Sequence, residues 1–257
     1  VIADDYIVAV PSYRRSSTIA EHTLGMLARG KVPHDRVHVY VANEEEQAAY
    51  LKVVPPHLYH DICVTEPGLG PSRNAIQKRW PEDTPIAFCD DDIKGLVMRV
   101  DEKRLTPMED VDSFFIDAFD QLQRFRLGLW GVCAVKNPFF MKDSVSADLK
   151  FCDGTFYGIR NTHDHRMLVD IATKEDIDRT CKFYVRDGGV LRFNYVAFDS
   201  RPYWTNPGGL HDMRTEAMNV ASAQEIVRRY PHLATLNPKP DRMEIRLRDK
   251  RPRSKST

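Results

Sequence analysis

Three consecutive carboxylates, Asp90-Asp91-Asp92, directly follow the apolar run at residues 85–89 and are the side chains of this 257-residue sequence that most demand a chemical explanation. Side by side they repel one another unless a cation stands among them, and an all-oxygen donor set favours a hard ion, Mg or Mn. In a pocket that also holds a diphosphate, such an ion bridges one or two carboxylates to phosphate oxygens and offsets charge on a departing nucleoside diphosphate. The competing reading is a solvated acidic turn that meets the dipole of a following helix. Pro11-Ser12-Tyr13-Arg14-Arg15 offers hydroxyls, an aromatic face and two guanidinium groups after another apolar run. Those parts suit a nucleotide, since tyrosine stacks on a base and arginine clamps phosphate. The plainer alternative is an exposed basic turn capped by Ser16 or Ser17.

Further along, Arg73 falls in the first turn of an expected helix and could reach a ligand or the acidic triplet, or be an ordinary surface arginine. The segment Gly68-Leu69-Gly70-Pro71 around it is neither G-x-G-x-x-G nor a P-loop, which argues against kinase-like phosphoryl transfer. Glu175-Asp176 sits at a helix start, where one carboxylate could accept a proton from an attacking hydroxyl. Thr173 three residues before Asp176 is close to a capping box, in which Asp176 would only satisfy backbone donors. His211, after Gly208-Gly209-Leu210, could complete the coordination of a metal. His163-Asp164-His165 has strand spacing for two rings on one face, but lacks a clear third ligand and reads as surface or acceptor-side polarity.

Composition bounds what these groups can serve. Thirty-seven basic and thirty-seven acidic side chains cancel, which argues against indiscriminate polyanion binding, and 42% hydrophobic residues support a substantial core in one domain. No run approaches the roughly 18 apolar residues of a membrane span, and no signal-peptide core opens the sequence, so a cytoplasmic location is expected. Cys63, Cys89, Cys133, Cys152 and Cys181 are odd in number, mostly in apolar runs and without a C-x-x-C pair. Buried reduced thiols are expected. Residues 239–255 carry eight basic against three acidic side chains, either a phosphate-neutralising cluster or a solvated tail.

The elements that would position the chemistry follow from periodicity. Apolar runs at residues 6–10, 37–42, 62–64 and 85–89 alternate with helical patterns at 18–29, 44–51 and about 68–80, a βαβαβαβ order. That order predicts an open, mostly parallel α/β sheet flanked by helices, with ligands beyond the carboxyl ends of the strands. Helices are predicted over about 109–125, 174–184 and 215–230, and strand-like segments at 130–135, 151–159, 167–171 and 190–198.

Taken in order, the first strand ending in Pro11-Ser12-Tyr13-Arg14, the Arg73-Asn74 helix, Asp90-Asp91-Asp92, Glu175-Asp176 and a late Gly-Gly-x-His resemble the GT-A fold nucleotide-sugar glycosyltransferases over roughly residues 5–215. YIVAVPSYRR, VYVANEEE, PSRNAI and FCDDDIKGL look most like the TET/JBP-associated glycosyltransferases, linked mainly with phages and hypermodified pyrimidines in DNA. The resemblance implies a single Rossmann-like GT-A domain with an open mixed sheet over residues 1–238, followed by a basic tail over 239–257. It implies a Mn or Mg ion, a UDP-linked sugar donor and 5-hydroxymethylpyrimidine in DNA as acceptor, with inversion at the sugar. Pro11, Ser12, Tyr13, Arg14 and Arg15 with Asn43 and Glu44 would line the nucleoside pocket. Arg73, beside Asn74, would sit near the diphosphate or brace the triplet, and Asp90 and Asp91 would contact ribose or sugar. Asp92 would hold the metal with His211, and Asp176, or alternatively Glu175, would be the general base. Three acids in place of the common D-x-D leave open which is the metal ligand. Aromatics at Trp130, Phe139, Phe140, Phe156, Tyr157, Tyr203 and Trp204 would suit a flipped base, or equally a sugar site or a core. The rival readings are a protein, saccharide or small-molecule acceptor, a nucleotidyltransferase, and a catalytically silent nucleotide- or DNA-binding module.

Overall fold

Residues 5–200, 215–239 and 243–250 are described by the computed structural model. Its first half alternates as the periodicity predicts: β1 (Ile7–Pro11), α1 (Thr23–Arg29), β2 (Val37–Val41), α2 (Glu44–Val53), β3 (Asp61–Val64), α3 (Leu69–Arg79) and β4 (Pro85–Cys89). Then follow β5 (Ile93–Arg99), β6 (Leu105–Pro107), α4 (Val111–Phe125), β7 (Leu129–Cys133), β8 (Val145–Asp148) and β9 (Phe156–Arg160). The described chain closes with α5 (Glu175–Asp187), β10 (Val190–Ser200), α6 (Glu216–Arg229), β11 (Ala234–Pro238) and β12 (Met243–Leu247).

One mixed sheet runs β3-β2-β1-β4-β9-β7-β10-β5-β6, with β8 also on β10. β3, β2, β1 and β4 are parallel, as are β7 and β10, and β9 lies antiparallel between β4 and β7. The central strands are apolar along their length because helices cover both faces. Alternation then divides each strand between two cores. Val8 and Val10 pack with Leu24 of α1 and Phe115 of α4, whereas Ile7 and Ala9 join the cluster of Ile76 from α3 and Phe183 from α5. Helix α4 shows the cause most plainly. Asp110 caps it by accepting from Ser113 N–H at 2.9 Å, and Phe114, Phe115, Ala118, Phe119 and Leu122 form one buried stripe. Each large side chain so buried contributes roughly 1.5–3 kcal/mol. Gly158 on β9 lacks a Cβ for a reason: one would lie 2.2 Å from the Trp130 indole that crosses it.

Some expectations are corrected and others hold. Residues 167–171 are no strand. A short 3-10 turn spans His165–Met167, Arg166 closes on the Asp164 carboxylate, and His163 and His165 are exposed outside any sheet. Strands β5 and β6 escape the pattern because their exposure is irregular and Lys94 and Gly95 interrupt the apolar sequence. Trp130, Phe156 and Tyr157 are core residues at 2% exposure or less, since the sheet is covered on both sides there. All five cysteines are free and buried. Strands β11 and β12 pair across the expected 238/239 boundary, with Pro238 opposite Met243. No helix among the described residues is long and apolar enough to cross a membrane.

Candidate active site

The carboxyl ends of β1 and β4 lie side by side because these strands are parallel neighbours, which brings residues 11–15 against the acidic triplet. Ser12 is buried, its Oγ donating to Asp91 and sharing a 2.6 Å hydrogen bond with Tyr50 of α2. Arg15 also bonds Asp91, lies 3.3 Å from Asp92, and donates its backbone N–H to the Tyr50 hydroxyl at 3.0 Å. Arg14 adopts left-handed backbone, φ 56°, with its N–H on Glu46 and its guanidinium 4.9 Å from the Tyr13 ring centre. Asn43 spends its side-chain oxygen capping α2, accepting from Glu46 N–H at 2.8 Å, and Glu44 is exposed in the first turn of that helix. The turn after β4 is pinned from α1. Thr23 donates to the Asp90 carbonyl at 2.6 Å and accepts from Ile93 N–H at 3.0 Å.

Arg73 links the two halves of the site. It is 1% exposed and donates to Glu175 at 3.0 Å and to the Gly154 carbonyl at 2.7 Å, with Asp90 at 3.4 Å. One guanidinium thus joins the edge of β4 to the start of α5. A Cβ at Gly154 would stand 3.4 Å from Arg73 and 3.5 Å from the Asp176 Cβ, so Asp176 flanks the same loop. Asn74 spends both ends of its amide on the Val169 backbone, each at 2.8 Å, and thereby clamps the segment leading to α5.

The capping box at Thr173 does not form. Thr173 directs its hydroxyl to the Met218 carbonyl of α6, and Lys174, in left-handed backbone at φ 59°, starts α5 without a side-chain cap. Asp176 accepts only its neighbour's N–H, from Ile177 at 2.8 Å, among the hydrogen bonds described for its side chain. Burial raises the Asp176 pKa to about 7, the Glu175 and Asp153 carboxylates push the same way, and Arg179 opposes them. Burial likewise lifts Asp90 to about 7 against the pull of Arg73, with Asp92 and Asp91 adding to the rise.

Among the described residues no three His, Cys, Asp or Glu side chains group as a metal centre. Asp91 is turned back onto Ser12 and Arg15, and Asp92, its side chain 16% exposed, lies 3.3 Å from the same guanidinium. The chemistry fits a hard cation held by one or two carboxylates, with phosphate oxygens and water completing its shell, and not an all-protein cage. His211, Tyr203 and Trp204 lie outside the described residues. Tyr50, Asp153, Gly154 and Arg179 are beyond the sequence reading. Arg179 alone had a signal in the sequence, the three-residue spacing that puts it on the helical face of Asp176.

Sheet order, antiparallel β9 and a carboxylate cluster at the carboxyl edge define a GT-A fold. Similar over most of the chain is a mannosyltransferase of Pyrobaculum calidifontis in complex with GDP-mannose and Mn2+, at TM-score 0.55 and 14% identity, covering 88% of this chain and 63% of that one. TarS 1-349 of S. aureus in complex with UDP is similar at TM-score 0.53 and 16% identity, with 87% and 65% covered. Glucosyl-3-phosphoglycerate synthase of Mycobacterium tuberculosis, in complex with Mn2+, UDP-glucose and phosphoglyceric acid, is similar at TM-score 0.50 and 10% identity, with 94% and 86% covered. The chain spans less than two thirds of the first two structures. At these identities the likeness is one of fold. The sequence matches no family model and no curated protein.

Proposed function

We propose that this protein is a metal-dependent glycosyltransferase that moves a sugar from a nucleotide-sugar to an acceptor hydroxyl. The observation that carries the reading is the Arg73 bridge, which sets Asp176 of α5 beside the acidic edge of β4. Residues 11–15 receive the nucleoside and diphosphate, and Asp92 is the protein's ligand to the divalent cation, with His211 as its proposed partner. A Mn or Mg ion held there would offset charge on the leaving diphosphate. Asp176 takes the proton of the acceptor hydroxyl as its oxygen forms the new bond to C1 of the sugar. The bond from C1 to the diphosphate oxygen breaks, its electron pair leaving with the diphosphate, and the anomeric centre inverts. Glu175 is engaged with Arg73, which favours Asp176 as the base. A pKa of about 7 suits a carboxylate that must accept a proton near neutrality.

In the finer reading the donor is UDP-linked and the acceptor is 5-hydroxymethylpyrimidine in DNA. The motifs of residues 6–15, 71–76 and 88–96 support it, together with exposed Arg246, Arg248 and Lys250 on and after β12. Nucleoside-diphosphate release from UDP- and GDP-sugars with Mn2+ or Mg2+ tests both levels, using hydroxymethylcytosine duplex, unmodified duplex and no acceptor, followed by intact-mass analysis. Release stimulated only by the modified duplex, with a hexose-sized mass gain, is expected. Slow release independent of DNA discards the acceptor and retains the reaction. No release from any donor sinks the enzyme reading in favour of a binding module. Asp92→Asn is expected to lower turnover roughly 100-fold or more; unchanged turnover overturns Asp92 as the metal ligand.

A further inference from the structure

Arg179 is the most anomalous side chain near the site. It is 6% exposed, and Nε, Nη1 and Nη2 are buried without a hydrogen-bond partner among the described residues. Buried guanidinium groups normally sit in paired, fully bonded settings, because an unbonded buried cation loses its hydration for nothing. Here the guanidinium carbon lies 3.6 Å from the centre of the Tyr157 ring, whose π face recovers part of that cost. Tyr157 is itself held in place by stacking on Phe88, centroids 5.0 Å apart and planes 8° from parallel.

We propose that Arg179 is a positioning residue for this centre, a buried cation one helical turn behind Asp176 that favours the ionised carboxylate without occupying either of its oxygens. The inference rests on the reading of Asp176 as base given above. Three residues apart on α5, the two side chains share a face. The groups bearing most on Asp176 are Glu175 and Arg179 from α5 and Asp153 from the loop before β9, with Cys152 and Arg73 also within its field, Tyr157 facing both arginines and Asp90 facing Arg73. Arg73 is committed to Glu175 and the Gly154 carbonyl. Arg179, three residues along α5 and free of such a commitment among the described residues, is the cation that opposes the rise of Asp176. A direct hydrogen bond from Arg179 would stabilise the carboxylate but occupy a lone pair that the acceptor's proton needs. Charge held close on an aromatic floor, with its donors unspent among the described residues, supplies the field and leaves the lone pairs open.

The test is the ionisation of Asp176 followed by carboxylate 13C NMR in wild type, Arg179→Met, Arg179→Gln and Arg179→Lys, each checked for native near-UV circular dichroism, alongside pH profiles of kcat/KM. In the two neutral variants Asp176 is expected to hold its proton about tenfold more tightly, with the acid limb of the rate profile moving up equally. The lysine variant should return both toward wild type. An Asp176 titration unchanged in folded Met and Gln variants overturns the proposal, as does an equal rate loss at every pH. A titration that moves while the rate profile stays put upholds Arg179 and overturns Asp176 as the base, so the two failures are distinguishable.

Discussion

Asp176 ionises against its surroundings, and that has a thermodynamic signature independent of catalysis. Its folded pKa, about 7, stands above the ordinary carboxylate value of 3.8. The protonated folded state therefore gains stability that is fully present below the unfolded value and is lost as pH rises through about 7. Asp176→Asn never ionises. It is expected to raise Tm at pH 8 by roughly 2–4 °C for each kcal/mol of relieved cost, with little change at about pH 3, below the unfolded value. The same variant should lose about 100-fold or more in turnover. A melting temperature that shifts equally at both pH values would show that Asp176 does not carry a buried charge. Gain of stability with loss of activity is what a residue kept for chemistry should show.

Elements, not single residues, keep the acidic turn in shape. Helix α1 contributes Thr23, 0% exposed, which bridges the Asp90 carbonyl and the Ile93 N–H and so ties β4 to β5. Thr23→Val keeps the shape and removes both bonds, leaving buried backbone groups without partners at about 1–3 kcal/mol each. A lower Tm and weaker Mn2+-dependent nucleoside-diphosphate binding, measured by calorimetry, are expected together; a lower Tm with unchanged binding would show that α1 stabilises the fold without shaping the site. Helix α3 plays the complementary part, since Arg73 reaches Glu175 across 102 residues of sequence. Left-handed backbone at Arg14 and Lys174 occurs in the two segments that flank the site, and each costs roughly 1–2 kcal/mol in a side-chain-bearing residue.

For the whole molecule, zero net charge conceals where the charge is carried. Exposed Arg246 lies on β12, which is paired with β11, and exposed Arg248 and Lys250 follow it, so removing residues 239–257 would strip a strand along with the charge. Charge reversal separates the two effects. Arg246→Glu with Arg248→Glu is expected to weaken duplex binding and flatten its dependence on salt concentration, since each lost phosphate contact removes about 0.9 from the logarithmic slope. Tm should stay within about 1 kcal/mol equivalent for exposed positions. Unchanged binding would remove this face from any DNA reading and return the acceptor to a saccharide, protein or small molecule.

The sequence by itself determined the alternating first half of the fold and the location of its ligand edge. Continuous apolar strands and amphipathic helices are local patterns, written in consecutive residues, and Asp90-Asp91-Asp92 after β4 inherits its place from them. It also picked out Glu175-Asp176 as a helix start and put Arg73 on a helix, although α3 starts at Leu69 and carries Arg73 in its second turn, not its first. What it could not separate is whether those groups meet, because hydrogen bonds between residues 102 apart leave no periodicity behind. Tertiary structure alone decided that Asp91 turns inward to Ser12 and Arg15, that Asn74 serves Val169, and that Thr173 abandons its capping role for α6. It alone brought β9 antiparallel beside β4, which lays Tyr157 beneath α5 and gives Arg179 an aromatic surface to rest on. Local sequence sets which side chains are available; burial and long-range pairing set their charge and their partners, and those govern the chemistry proposed for this edge of the sheet.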